Sequence, residues 1–165
     1  MHLISKTAKI SSLSDIENSV KNSTFQVGDE TTIDSFVKVK FSGGTNDILI
    51  GSRCYINSGC VLYSGNGINI GNNVIVAANC VFAPVNHAYA NKDILIREQG
   101  FMNSKGGIII EDDVWIGAGT IILDGAIISS GCVIGALSLV NHELLEKDSV
   151  YAGNPIKLIK KRYNS

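Results

Sequence analysis

Between residues 110 and 140 the apolar positions recur every six residues, at Ile110, Ile116, Ile122, Ile128, Ile134 and Val140. Six is neither the 3.6-residue period of a helix nor the two-residue alternation of an ordinary strand. Four places after each of the first five stands a small or β-branched residue, in order Val114, Thr120, Ala126, Cys132 and Ser138, and Gly119, Gly125 and Gly131 fall at the turns. Each unit reads as a three-residue strand such as Thr120-Ile121-Ile122, its outer two side chains on one side, followed by a three-residue turn such as Leu123-Asp124-Gly125. Short strands joined by short turns must coil. The pattern predicts an all-β parallel β-helix whose rungs stack at about 4.8 Å around a continuous apolar column.

The same pattern divides the rest of the chain. It begins faintly at Val27, Ile33 and Val39, pauses at a polar turn over 42–47, and resumes at Ile50, Ile56 and Leu62. A second small insertion, Ser64-Gly65-Asn66-Gly67, resets it to Ile70, Val76 and Phe82. Residues 83–107 carry no repeat, and so long an irregular insertion in a compact domain is usually functional or disordered. Before the repeat, Leu13, Ile16 and Val20 share a helical face with Ser12 and Asp15 as a capping pair, which predicts a short helix within 1–24. After it, Gly153-Asn154-Pro155 breaks the chain and residues 156–163 read as a short basic helix. The expectation is one domain over 1–165, with its β-helix at 27–148, a protruding loop at 83–107 and a tail at 153–165.

The middle residue of each strand points outward. Over 110–140 these are Trp115, Ile121, Ile127, Val133 and Leu139, all apolar. Such a strip implies a partner surface, most economically a symmetric homo-oligomer. Trp115 is either packing at that seam or the wall of a ligand site there.

Composition narrows the function. A net charge of −1 and a pI near 6.3 give no reason to expect nucleic acid or an anionic membrane as partner. The apolar runs are too short to span a bilayer, and the opening Met1-His2-Leu3-Ile4-Ser5-Lys6 lacks a secretory apolar core, so a cytoplasmic location is expected. Cys54, Cys60, Cys80 and Cys132 all occupy the small inward position of a repeat; they read as core filler, and no metal site is expected.

Several segments together resemble one family. They are the hexad itself, the loop Val85-Asn86-His87-Ala88-Tyr89, the run from Lys105 to Ala118 containing Trp115-Ile116-Gly117-Ala118, the repeat Val133-Ile134-Gly135-Ala136, and Ala152-Gly153-Asn154-Pro155-Ile156-Lys157. These resemble the hexapeptide-repeat acyltransferases, and among them the sugar O-acetyltransferases of the maltose, galactoside, nodulation-factor and capsular-polysaccharide group. The resemblance implies a left-handed coil, a homotrimer with sites between subunits, and acetyl-CoA lying along the groove. It implies O-acetylation of a sugar or polysaccharide precursor; N-acetylation of an amino sugar, free or nucleotide-linked, is the alternative on the same fold.

His87 is the candidate catalytic residue, because an imidazole can take the proton of an acceptor hydroxyl as it attacks a thioester carbonyl. His2 and His142 read as terminal and loop polar residues. A Ser or Cys nucleophile is disfavoured, since every Cys faces the core and no Gly-x-Ser-x-Gly elbow exists. The resemblance places the oxyanion donor at the Ala118 N–H, contributed by the neighbouring subunit, with Gly117 keeping the wall low. Asn57 matches a position that holds the acceptor, and an Asn stabilising its own turn is the competing reading. Ala136 and Asn141 match positions lining the pantetheine groove. Lys157 matches one that meets the 3′-phosphate, with Lys160, Lys161 and Arg162 offering further charge. A zinc-dependent carbonic anhydrase of similar fold would need three histidines on the metal, and only His87 and His142 lie outside the N-terminus. A non-catalytic assembly coil is the remaining class, and the His87 loop argues against it.

Overall fold

The computed structural model describes residues 1–141 and 144–163. The repeat winds into a left-handed parallel β-helix of three sheets, with seven, eight and six strands among the described residues. The first sheet stacks His2–Ile4, Phe25–Val27, Ile48–Ile50, Ile68–Ile70, Ile108–Ile110, Ile127–Ile128 and Leu144–Leu145. The second stacks Lys9–Ile10, Thr32–Ile33, Tyr55–Ile56, Ile75–Val76, Trp115–Ile116, Val133–Ile134 and Ser149–Ala152, with Lys157–Lys161 at its end. The third stacks Asp15–Ile16, Lys38–Lys40, Val61–Tyr63, Val81–Ala83, Ile121–Leu123 and Leu139–Val140.

Register explains the period of six. Successive hexad residues fall on successive sheets, so Ile116 lies over Ile134 and Ile122 over Val140. The column Ile33, Ile56, Val76, Ile116 and Ile134 is at most 1% exposed, and Val39, Leu62, Phe82, Ile122 and Val140 are equally closed. Fully burying each such side chain stabilises the fold by roughly 1.5–3 kcal/mol. The predicted small inward positions are also buried, among them Val114, Thr120, Ala126, Ser138 and the four free cysteines. Where the chain turns, rungs approach until only glycine fits: a Cβ on Gly117 would lie 2.5 Å from the Ala136 nitrogen.

Four expectations are corrected. No helix forms in 1–24; Ile4, Ile10 and Ile16 continue the hexad backward, and their strands pair in parallel with the rung above. Leu13 and Val20, which suggested a helical face, are 59% and 92% exposed and bury nothing. The tail is likewise strand: Lys157–Lys161 pairs antiparallel with Ser149–Ala152, because the last rung offers open main-chain donors and acceptors while Leu158 and Ile159 find no surface to bury a helical face against. The coil therefore extends from the first residues to Ala152, past the expected 27–148. Finally, the outward residues do not form one strip. Trp115 and Val133 lie on the second sheet, Ile121 and Leu139 on the third, and Ile127 on the first.

The insertion 83–107 leaves the third sheet after Val81–Ala83 and rejoins the first at Ile108–Ile110. It carries the one helical turn among the described residues, Ile96–Glu98. No helix of the described residues is long and apolar enough to cross a membrane.

Candidate active site

His87 sits on a built structure. The two legs of the insertion run side by side: Ala88 N–H donates to the Gly100 carbonyl (3.0 Å), Met102 N–H donates to the Asn86 carbonyl (2.8 Å), and His87 bridges Phe101 in antiparallel fashion. The imidazole packs on the Phe101 ring, with centroids 4.7 Å apart and planes at 39°. Toward the tip, Gln99 accepts from Asn91 N–H (3.0 Å) and donates from Nε2 to the carbonyls of Asn91 (2.8 Å) and Ile94 (2.7 Å).

The base of the insertion hangs on Asp124, a carboxylate only 3% exposed. Its Oδ2 accepts from Lys105 N–H (2.8 Å) and Asn66 Nδ2 (3.1 Å), and its Oδ1 from Gly107 N–H (2.9 Å). Asn66 N–H in turn donates to the Pro84 carbonyl (3.1 Å) on the outgoing leg. One carboxylate thus ties down both legs, and its donors offset the cost of taking the charge out of water.

Above this base opens a cavity of about 450 Å³ lined by Asn86, His87, Tyr89, Met102, Lys105, Leu123 and Asn141. Leu123 and Asn141 reach it because they end strands stacked directly over Val81–Ala83. Of the residues expected from sequence, His87 and Asn141 meet here. Tyr89, Met102, Lys105 and Leu123 were missed as lining residues; Leu123 was recoverable by carrying the register forward from Ala83.

The other expected residues gather at the opposite edge of the third sheet. Asn57 and Gly117 follow stacked strands of the second sheet and share one corner of the coil. The Gly117 carbonyl is held inside, accepting from Thr120 Oγ1 (2.7 Å) and Cys80 Sγ (3.3 Å). A trans peptide directs its C=O and N–H oppositely, so the exposed Ala118 presents its N–H outward. One rung on, Gly135 O accepts from Ser138 Oγ (2.7 Å) and Thr120 Oγ1 (3.3 Å), which turns out the Ala136 N–H in the same way. Neither hydroxyl was singled out from the sequence. Asn57 donates from Nδ2 to the Val76 carbonyl (2.9 Å), the turn-stabilising arrangement that competed with an acceptor role.

Trp115, 52% exposed, lies beside this corner in a groove of about 310 Å³ with Asn73, Ile75, Asp113, Val133 and Arg162. Arg162 is pinned to Asp113 (2.7 Å) and the Gly131 carbonyl, and Lys161 pairs with Glu146 (2.6 Å). These carboxylates raise the pKa of both cations above the ordinary values. Among the described residues, Lys157 and Lys160 meet no carboxylate. Burial raises the Cys54 and Cys132 thiols, and a hydrogen bond with Cys80 together with burial raises Cys60, so these sulfurs are poor nucleophiles near neutrality. Among the described residues no group of three or more His, Cys, Asp or Glu could hold a metal. His142 lies outside the described residues.

Comparison with known proteins agrees with this fold. Residues 107–142 match the family model for the bacterial transferase hexapeptide (six repeats), and the repeat and the coil it builds are those of the hexapeptide-repeat transferases. The chain is 31% identical over 121 residues to a chloramphenicol acetyltransferase of Agrobacterium fabrum (strain C58 / ATCC 33970), covering 73% of this chain and 54% of the relative. It is 47% identical over 60 residues to a probable macrolide acetyltransferase of Lysinibacillus sphaericus, covering 36% and 33%. The chain thus spans about half the length of these curated relatives, or less. Among solved structures it resembles AntD, an N-acyltransferase from Bacillus cereus in complex with dTDP and 3-hydroxybutyryl-CoA. The TM-score is 0.80 at 23% identity, over 98% of this chain and 83% of that one, a likeness of fold.

Proposed function

We propose that the protein is an acetyl-CoA-dependent acyltransferase in which His87 is the general base and Ala118 N–H receives the oxyanion. In this reading the acceptor's nucleophilic atom attacks the thioester carbonyl while the His87 imidazole takes its proton. The carbonyl electrons move to oxygen, where the Ala118 N–H donates; collapse of the tetrahedral adduct breaks the C–S bond, and the imidazolium returns its proton to the CoA thiolate. The observation that carries the reading is the outward Gly117–Ala118 peptide, locked from inside by Thr120 and Cys80, on the same sheet as the His87 insertion.

The two half-sites lie at opposite edges of the third sheet, so one chain does not close them on each other. A symmetric homotrimer would, with His87 of one protomer facing the Ala118 edge of the next. Trp115 and Asn57 would then border the acceptor, while Gly117, Ala118, Ala136 and Asn141 line the pantetheine arm. Lys157, without a carboxylate partner, would meet the 3′-phosphate. The buried, unpaired thiols suit the reducing cytoplasm.

For the acceptor we favour the amino group of an amino sugar over the sugar hydroxyl of a polysaccharide precursor. The support is the likeness to AntD, an N-acyltransferase also solved in complex with dTDP-4-amino-4,6-dideoxyglucose and coenzyme A. The test is the product bond. Neutral hydroxylamine cleaves an acetyl ester and leaves an amide, so a resistant product is expected, and a labile one would restore O-transfer.

A further inference from the structure

We propose that the acceptor brought to His87 carries an anionic group, and that Lys105 is the residue that binds it. The inference rests on the acyl-transfer reading and adds to it the charge of the substrate.

The cavity around His87 is lined by one ammonium, one imidazole, two amides and one phenol, with no carboxylate among the described residues. Asp93 and Glu98, the acidic residues of the insertion, are not among those lining it. Asp124 lies below, its two oxygens already accepting from Lys105 N–H, Gly107 N–H and Asn66. Its charge is directed at the main chain of the insertion. The Lys105 ammonium meets no carboxylate among the described residues.

An exposed lysine is ordinarily a solvated, mobile charge. Here its main chain is fixed by a hydrogen bond to a buried carboxylate, and Gly107, two residues on, is fixed by the same group. The cavity therefore holds a positive charge at a defined place beside the catalytic candidate. An amine acceptor arrives largely as ammonium and is repelled by such a charge, unless an oxyanion elsewhere on the molecule pairs with it. The phosphates of CoA are not that oxyanion, because the whole pantetheine arm separates them from the thioester on which His87 acts.

The experiment measures acetyl transfer from acetyl-CoA, by thiol release, to glucosamine, glucosamine 1-phosphate and glucosamine 6-phosphate. A charge-assisted contact should favour one of the phosphorylated sugars by roughly tenfold or more in kcat/KM. Lys105→Met should abolish that preference through the acceptor KM, with the acetyl-CoA KM unchanged, and Lys105→Arg should retain part of it. Equal use of neutral and phosphorylated sugars overturns the inference. So does a Lys105→Met variant that raises the acetyl-CoA KM, which would assign the lysine to the cofactor. Should none of the three be acetylated, titration calorimetry with the two sugar phosphates decides: no binding, or equal binding by wild type and Lys105→Met, overturns the anion site, whereas absence of CoA binding overturns the acyltransferase reading itself.

Discussion

Thr120 shows how an inward side chain can act on an outward site. It reads in the sequence as a small core position, and it is fully buried, yet its hydroxyl donates to the Gly117 carbonyl and so sets the direction of the next N–H. Thr120→Val keeps the shape and removes the donor. Its kcat is expected to fall about tenfold with acetyl-CoA KM nearly unchanged, because the weakened contact is made to the oxyanion of the transition state. Thr120→Ser should recover most of the activity, and a Val variant as active as the Ser variant would remove the hydroxyl from the mechanism. At the cofactor's other end, Lys157→Ala should raise the KM of acetyl-CoA more than that of dephospho-acetyl-CoA, which lacks the 3′-phosphate; equal effects would take Lys157 out of that role. His87 and Ala118 could be read from the sequence because a family loop and turn surround them. Lys105 and Asp124 could not, since Asp124 meets Asn66 across 58 residues of sequence, and only the stacking of rungs brings them together.

At the scale of the element, the hexad was legible wherever its apolar residues are buried on all sides. It was missed in the first rung, where Ile10 and Ile16 are only partly buried and Leu13, Ile16 and Val20 happen to have helical spacing. The tail failed for a related reason: five residues at the end of a coil carry too few periods to separate strand from helix, and an unpaired rung decided it. The insertion was legible as an interruption, while its construction as a pinned hairpin was not. Asp124→Asn tests that construction. The amide turns an NH2 toward donors, a mismatch that costs roughly 1–3 kcal/mol. Limited proteolysis should then cut faster within 88–105 and kcat should fall, while the rest of the coil keeps its resistance. Unchanged cleavage and turnover would show that the insertion is held by other means.

For the whole molecule, the period misled in an instructive way. Outward residues six apart were read as a single apolar strip, but a three-sided coil sends each to a different face, and only Trp115 with Val133, or Ile121 with Leu139, share one. What remains is an apolar column on the second sheet, Tyr55, Ile75, Trp115 and Val133, beside the corner that presents Ala118. If protomers meet there, sedimentation equilibrium gives about three times the 17.6 kDa chain mass. Val133→Asp should shift it toward monomer and abolish activity together. A monomer that retains full turnover would refute the shared site.

The central claim is that this coil transfers an acyl group from CoA with His87 as base. Its most direct measurement is acceptor-dependent thiol release from acetyl-CoA by wild type and by His87→Ala, at equal and saturating cofactor. The account predicts turnover by the wild type, a loss of ~10²–10⁴ in kcat for the variant, and nearly the same acetyl-CoA affinity in both. A His87→Ala protein as active as the wild type would contradict it.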